Sequence, residues 1–138
     1  MEATFQVHIL AADHTIYEGP CVSLTVPTSG GEQGILAHHS PMIAAVRPGT
    51  LRYQPPGQEV QLAAISPGMV KVEKNDVLVL VDSAERPGEI DEARARREAD
   101  QAREALLQKK SRQEHQLAQA TLARALNRLR VKASDSHQ

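Results

Sequence analysis

The stretch EIDEARARREADQAREALL, Glu89 to Leu107, opens with an aliphatic residue and an acid, Ile90 and Asp91, and brings in Arg94 one helical turn later. Further on, Arg124 and Arg128 stand four residues apart, on one face of any helix there. Guanidinium forks bind phosphate oxygens in pairs, so these residue types suit a site. They equally suit an ordinary helix start. Asp91 is placed to cap a helix beginning just after it, and Arg94 to pair with an acid on a solvated face. A cap can also line a pocket, so both readings stand.

Other candidate chemistry is thinner. His38 and His39 with Glu32 suggest a metal, but adjacent residues on a strand point to opposite faces, and no third ligand is evident. Ser66 and His8 lack the glycine-flanked turn of a serine nucleophile. No phosphate loop of the G-x-x-x-x-G-K type occurs. Cys21 is the single cysteine, which excludes an internal disulfide or a multi-cysteine zinc site and fits a reduced, intracellular setting. Its place beside Val22 suggests a half-buried thiol at a strand start. The N-terminal MEATFQVHIL has neither the basic start nor the apolar run of a signal peptide, and no window is apolar enough to span a membrane.

The elements that would position these residues divide sharply. All 8 glycines and all 8 prolines fall before Glu89. Before that point apolar and polar residues alternate: Phe5, Val7 and Ile9; Val22, Leu24 and Val26; Val70 and Val72; then the continuous run Val77 to Val81. Turn residues separate them, at Ser29-Gly30-Gly31, Pro48-Gly49, Pro67-Gly68 and Lys74-Asn75-Asp76 among others. This predicts an antiparallel β-sandwich over residues 1–84, with no helices to carry parallel crossovers.

Residues 85–138 predict a helical hairpin. Ala95, Ala99, Ala102 and Leu106 make one apolar stripe, and Ala118, Leu122, Ala125 and Leu129 another. Lys109 and Lys110 suit a helix C-terminus, and Ser111 with Glu114 has capping-box spacing for a second helix. One continuous helix over residues 91–131 is the rival, since no glycine or proline forces a break. Charge follows the same division: 4 basic and 8 acidic residues in 1–84, then 12 basic and 9 acidic in 85–138. The only aromatics are Phe5, Tyr17 and Tyr53, too few for a stacking platform on single-stranded nucleic acid.

Three stretches together resemble the epsilon subunit family of bacterial F-type ATP synthases. They are GEQGILAHHSPMIAAVRPG (Gly31 to Gly49), DSAERPGEIDEARA (Asp82 to Ala95) with its Ile/Leu-Asp-x-x-Arg-Ala motif, and ALNRLRV (Ala125 to Val131). The resemblance covers essentially the whole chain. Ala37-His38 replaces a common Pro-Gly, which leaves that loop's shape open, and Ser66-Pro67-Gly68 replaces a common Ser-Gly-Gly.

The resemblance implies a non-catalytic rotor subunit in the central stalk. It would bind the gamma subunit and the membrane ring of c subunits, and couple proton flow to ATP synthesis. It would meet the membrane only through the complex, peripherally, on the cytoplasmic side of the plasma or inner membrane. Its C-terminal helices would lie folded or extend toward the alpha and beta subunits, where they suppress ATP hydrolysis. Some relatives bind ATP on the folded hairpin as a regulatory ligand. The residues matching that site here are Glu85, Ile90, Asp91, Arg94, Ala95, Arg124 and Arg128. No other cofactor is implied. The alternative from the tail's arginines alone is a helical nucleic-acid-binding protein, against which the interspersed acids Glu92, Glu98, Asp100 and Glu104 count.

Overall fold

A computed structural model describes residues 3–108 and 111–136. The chain divides into two compact units, Met1–Arg86 and Pro87–Gln138. In the first unit ten strands follow one another: β1 (Phe5–Ala11), β2 (Thr15–Cys21), β3 (Ser23–Thr28), β4 (Gly31–Ile35), β5 (Met42–Val46), β6 (Gly49–Gln54), β7 (Gln61–Ile65), β8 (Gly68–Glu73), β9 (Asp76–Val81) and β10 (Ala84–Glu85). They form a β-sandwich approaching a barrel. The strand order is β10-β7-β6-β3-β5-β8-β9-β1-β2, with β4 added on β3. β3 joins the two layers, because its first residues pair with β6 while Thr28 pairs with Val46 of β5.

The alternation read from the sequence is the burial pattern. Phe5, Val7 and Ile9 are buried, as are Leu24 and Val26, Val70 and Val72, and Val77, Val79 and Val81. Val22 departs from its series: it sits at the bend between β2 and β3 and is only partly buried. The expected antiparallel sandwich is observed, with one parallel pairing added. β1 and β9 pair in parallel, from Gln6↔Asp76 to Ala11↔Val81. No helical crossover is required, because the rest of the sandwich makes the connection between these two strands. The strand body also runs past residue 84. Ala84 and Glu85 pair with Ile65 and Ala64, and the Arg86 guanidinium donates to the Ile16 carbonyl.

Three turns show how local chemistry sets the architecture. Lys74 and Asn75 both take positive φ, 53° and 62°, the geometry that a tight two-residue hairpin turn between β8 and β9 demands. The Asn75 side chain accepts from the His38 backbone N–H at 2.7 Å and donates to the Thr4 carbonyl at 3.0 Å. His38 itself is left-handed, φ 65°, which explains why a glycine is at home at this loop position. Ser66, far from any nucleophilic arrangement, fastens the end of β7 to the start of β10: its hydroxyl accepts from the Ser83 N–H at 2.7 Å and donates to the Ser83 carbonyl at 3.1 Å.

Cys21 ends β2 rather than opening a strand, and it is completely buried rather than half-buried. Burial pushes its thiol up to about 11, weakly opposed by the nearby Tyr17 hydroxyl and Gln54 backbone. Below the ordinary thiol value of 9.0 the group is neutral in both folded and unfolded chains. As pH rises from there toward 11 the unfolded chain ionises first, so stability falls across that window. Cys21→Ala should flatten this part of the pH profile of thermal unfolding. Thiol labelling at pH 8 should stay slow until denaturant is added.

The second unit holds a 3-10 turn (Pro87–Glu89), α1 (Glu92–Leu107) and α2 (Arg112–Ser136). The hairpin, not the continuous helix, is the observed form. The Ser111 hydroxyl accepts from the Glu114 N–H at 3.2 Å, as its spacing predicts. Ala95, Ala99 and Ala102 of α1 are buried, with Ala118, Ala125 and Val131 of α2. Lys109 and Lys110 lie outside the described residues. At 16 residues α1 is about 24 Å long, shorter than the sequence pattern suggested because the helix stops before Gln108. No helix among the described residues is long and apolar enough to cross a membrane.

Candidate functional site

Asp91 caps α1. Its backbone is extended, and its side chain accepts from the Arg94 N–H at 3.0 Å, satisfying one of the helix's unpaired donors. Its carbonyl accepts from the Ala95 N–H at 3.0 Å. Ile90, just before the cap, is buried, and its N–H donates to the Pro87 carbonyl at 3.2 Å. The Lys132 ammonium of α2 donates to the same carbonyl at 3.1 Å and so ties the second helix to the start of the first. Ala95 is buried in the seam, where its single methyl lets the helices approach closely.

The two arginines of the pattern meet through one acid. Arg94 Nε donates to Glu98 Oε1 at 3.1 Å, the ordinary pairing of residues four apart. Arg128 of α2 donates through Nη1 to the other oxygen, Glu98 Oε2, also at 3.1 Å. A single carboxylate thus spans two guanidiniums, one from each helix. Its setting is partly sheltered: the side chains of Glu98 and Arg128 are 28% and 25% exposed, against 70% for Arg94. The Arg128–Glu98 bond is therefore the stronger of the two, since water screens it less. Beside Glu98 the small side chains leave a cavity of about 280 Å³ between α1 and α2, bordered by Gln101, Ala102, Ala105, Leu117 and Thr121.

Two residues of the pattern remain. Arg124 is exposed on α2, one turn before Arg128. Glu85 belongs to the strand body, where it pairs with β7. Glu98, which bonds both arginines, is the residue that the sequence reading missed, having counted it only among the dispersed acids of the tail. Half of its role was legible, since Arg94 and Glu98 are four apart. The other half depends on the register of two antiparallel helices, which no local spacing reports.

The loop histidines do other work. The His39 ring bonds the Ser40 carbonyl through Nδ1 at 2.7 Å, and His38 contributes its backbone N–H to Asn75. His8 lies between Glu18 at 3.5 Å and Asp76 at 3.1 Å. Among the described residues no three His, Cys, Asp or Glu side chains converge as a metal-binding group.

Residues 4–87 match the family described as ATP synthase, Delta/Epsilon chain, beta-sandwich domain, and residues 89–133 match its long alpha-helix domain. The ATP synthase epsilon chain of Nitrosospira multiformis is 37% identical over 125 residues, covering 91% of this chain and 90% of that one. The epsilon chain of Caldanaerobacter subterraneus subsp. tengcongensis is 40% identical over 132 residues, covering 95% of each. A chain from the cryo-EM structure of the Euglena gracilis mitochondrial ATP synthase (OSCP/F1/c-ring) superposes with a TM-score of 0.82 at 21% identity. That match covers 100% of this chain and 84% of the other. A chain of the Tetrahymena thermophila mitochondrial ATP synthase central stalk/c-ring gives 0.60 at 15%, covering 97% of each. At these identities the structural likeness is one of fold. The two family matches together span nearly the whole sequence, and the chain belongs to the ATP synthase delta/epsilon chain family, as an epsilon-type, non-catalytic subunit.

Proposed function

We propose that this chain is the rotor subunit that joins the gamma subunit of the central stalk to the membrane ring of c subunits, turns with them, and restrains ATP hydrolysis through its C-terminal hairpin. The strand body is the fixed part. The hairpin is the regulatory part: closed, it leaves the motor free; extended toward the alpha and beta subunits, it presents exposed arginines such as Arg112 and Arg124 to acidic surfaces and obstructs reverse rotation. Membrane association follows from the assembly. The relatives named above carry the epsilon-chain name, and the Tetrahymena match comes from a central stalk and c-ring assembly.

The observation that carries the regulatory part is how lightly the hairpin is held. On α1 the fully buried residues of the seam are three alanines, Ala95, Ala99 and Ala102. At ~25 cal/mol per Å² such small side chains contribute only a few kcal/mol, and chain entropy opposes them. The Arg94–Glu98–Arg128 cluster adds about 1 kcal/mol, given its partial exposure. A helix pair held this weakly is within reach of a ligand's influence.

ATP is the ligand proposed. Arg94 and Arg128 lie together and are suited to its phosphates, and Ile90 and Asp91 flank them at the helix start. Arg124 is one turn away on α2. At 100 times its dissociation constant, ATP bound only to the closed form stabilises that form by about 2.7 kcal/mol, comparable to the seam itself.

Millimolar ATP should raise the midpoint of thermal unfolding of the isolated chain, followed by helical circular dichroism. Arg128→Ala should remove most of that rise and Arg94→Ala part of it, in keeping with their burial. An ATP response absent from the parent chain, or unchanged in Arg128→Ala, would eliminate the sensor. The nucleic-acid reading gains nothing from the structure, because Arg94, Arg96, Arg103 and Arg128 are each bonded to an acid of the tail.

A further inference from the structure

We propose that Glu98 is a built-in competitor for the anion: it occupies the guanidinium donors of Arg94 and Arg128 in the empty hairpin, and so sets how much ATP is needed to engage them. This inference rests on the ATP reading above and adds a residue and a sign to it. Its basis is geometric. Each oxygen of the Glu98 carboxylate accepts from a different arginine, both at 3.1 Å. Two guanidiniums converging on one pair of anionic oxygens is the arrangement a phosphate group would require. The carboxylate is thus an internal stand-in for a phosphate, carried on the same helix as one of the arginines.

A phosphate can take those donors only if Glu98 leaves. The structure provides room for that. Glu98 borders the open cavity of about 280 Å³ between α1 and α2, which Gln101 and Thr121 also line, together with the Glu114 carboxylate, whose charge opposes the approach of Glu98. A change of side-chain rotamer, with no movement of either helix, moves the carboxylate from the arginines toward that space. The exchange replaces one cross-helix bridge by another, so the helices stay clamped whether the anion is internal or bound.

Two consequences follow with opposite signs. Removing the Glu98 charge loosens the ligand-free hairpin, because Arg128 loses its sheltered partner. The same change strengthens anion binding, because the Glu98 charge no longer has to be displaced. A merely structural Glu98 would give the first effect and would weaken binding along with it. The sign of the affinity change therefore separates the two roles.

The test uses the full chain, with ATP and inorganic tripolyphosphate as probes in calorimetric titrations, and circular dichroism to verify helix content. Glu98→Gln keeps the shape and removes the charge. Glu98→Asp keeps the charge on a side chain one carbon too short to span both arginines, and serves if the glutamine variant loses helix. Either variant should unfold at lower temperature without ligand and bind both probes roughly two- to fivefold more tightly, the range expected from one partly exposed ion pair. The gain should vanish when Arg128→Gln is added. Binding by the variants alone, with the parent chain binding neither probe, would eliminate the ATP sensor and overturn Glu98 as a setting of its affinity, leaving it an outright block. Affinity unchanged or lowered in the variants, while the parent binds ATP, would overturn the role of Glu98 and leave the ATP site standing. No binding by parent or variant would overturn both.

Discussion

Gly68→Ala should destabilise the strand body by about 3 kcal/mol, a fifth to more than half of the stability of an ordinary domain. Gly68 opens β8 directly opposite Val81 of β9. A Cβ built on it would lie 1.9 Å from the Leu80 carbonyl oxygen and 2.7 Å from the Val81 Cα. Both are backbone atoms of the paired strand, so no side chain can turn aside to make room. The strands would have to part where Asp82 N–H bonds the Pro67 carbonyl at 3.2 Å and where Ser66 fastens to Ser83. That is also the corner from which β10 and the passage to the helices leave. Urea denaturation of the full chain is the measurement. A loss below about 1 kcal/mol would mean that β8 and β9 do not approach this closely in solution. Gly31→Ala is the useful comparison: its φ of 111° is unfavourable for alanine, but its Cβ would meet nothing within 4 Å. Its cost should therefore be limited to backbone strain of roughly 1–2 kcal/mol.

The contrast between Gly68 and its neighbours shows where the sequence was legible. Alternation is a local property, so Phe5, Val7 and Ile9 declared a half-buried strand without reference to anything distant. Caps are local too, and Asp91 and Ser111 do what their spacing foretold. Pairing is not local. Nothing near Gln6 says that its neighbour is Asp76 and that the two strands run the same way. The closeness of Gly68 to Leu80 likewise exists only once β8 and β9 are in register. The candidate site divides along the same line. Its Asp91 cap and the Arg94–Glu98 half of its ion cluster lie within one helical turn and could be read. The bond from Glu98 to Arg128 joins residues thirty apart, and it turns a surface pair into a clasp between two helices. Val22 misled for a related reason: alternation continues through a bend as readily as through a strand, and the reversal after Cys21 takes Val22 out of both β2 and β3.

Ending the chain after Arg86 should leave a synthase that still makes ATP but hydrolyses it about tenfold faster when run in reverse. That factor corresponds to roughly 1.4 kcal/mol of bias between obstructed and unobstructed states. The place of the cut matters. Arg86 closes the strand unit: Ala84 and Glu85 pair with β7, and the Arg86 guanidinium holds the Ile16 carbonyl. A cut after Ala84 would remove the pairing of Glu85 with Ala64 and the Arg86 bond together, and would confuse loss of regulation with damage to the base. With the cut after Arg86, assembly and coupled synthesis report on the base, while reverse hydrolysis reports on the hairpin alone. The ratio of truncated to parent hydrolysis should grow as ATP falls, since only the parent keeps the hairpin arginines proposed to bind ATP. If hydrolysis stays as slow as in the parent complex while synthesis is intact, the hairpin is not a brake. If synthesis is lost as well, the tail contributes to gripping the rotor. Hydrolysis faster by the same factor at every ATP concentration would remove the nucleotide sensor from this chain, leaving α1 and α2 as an obstruction governed by something other than Arg94 and Arg128.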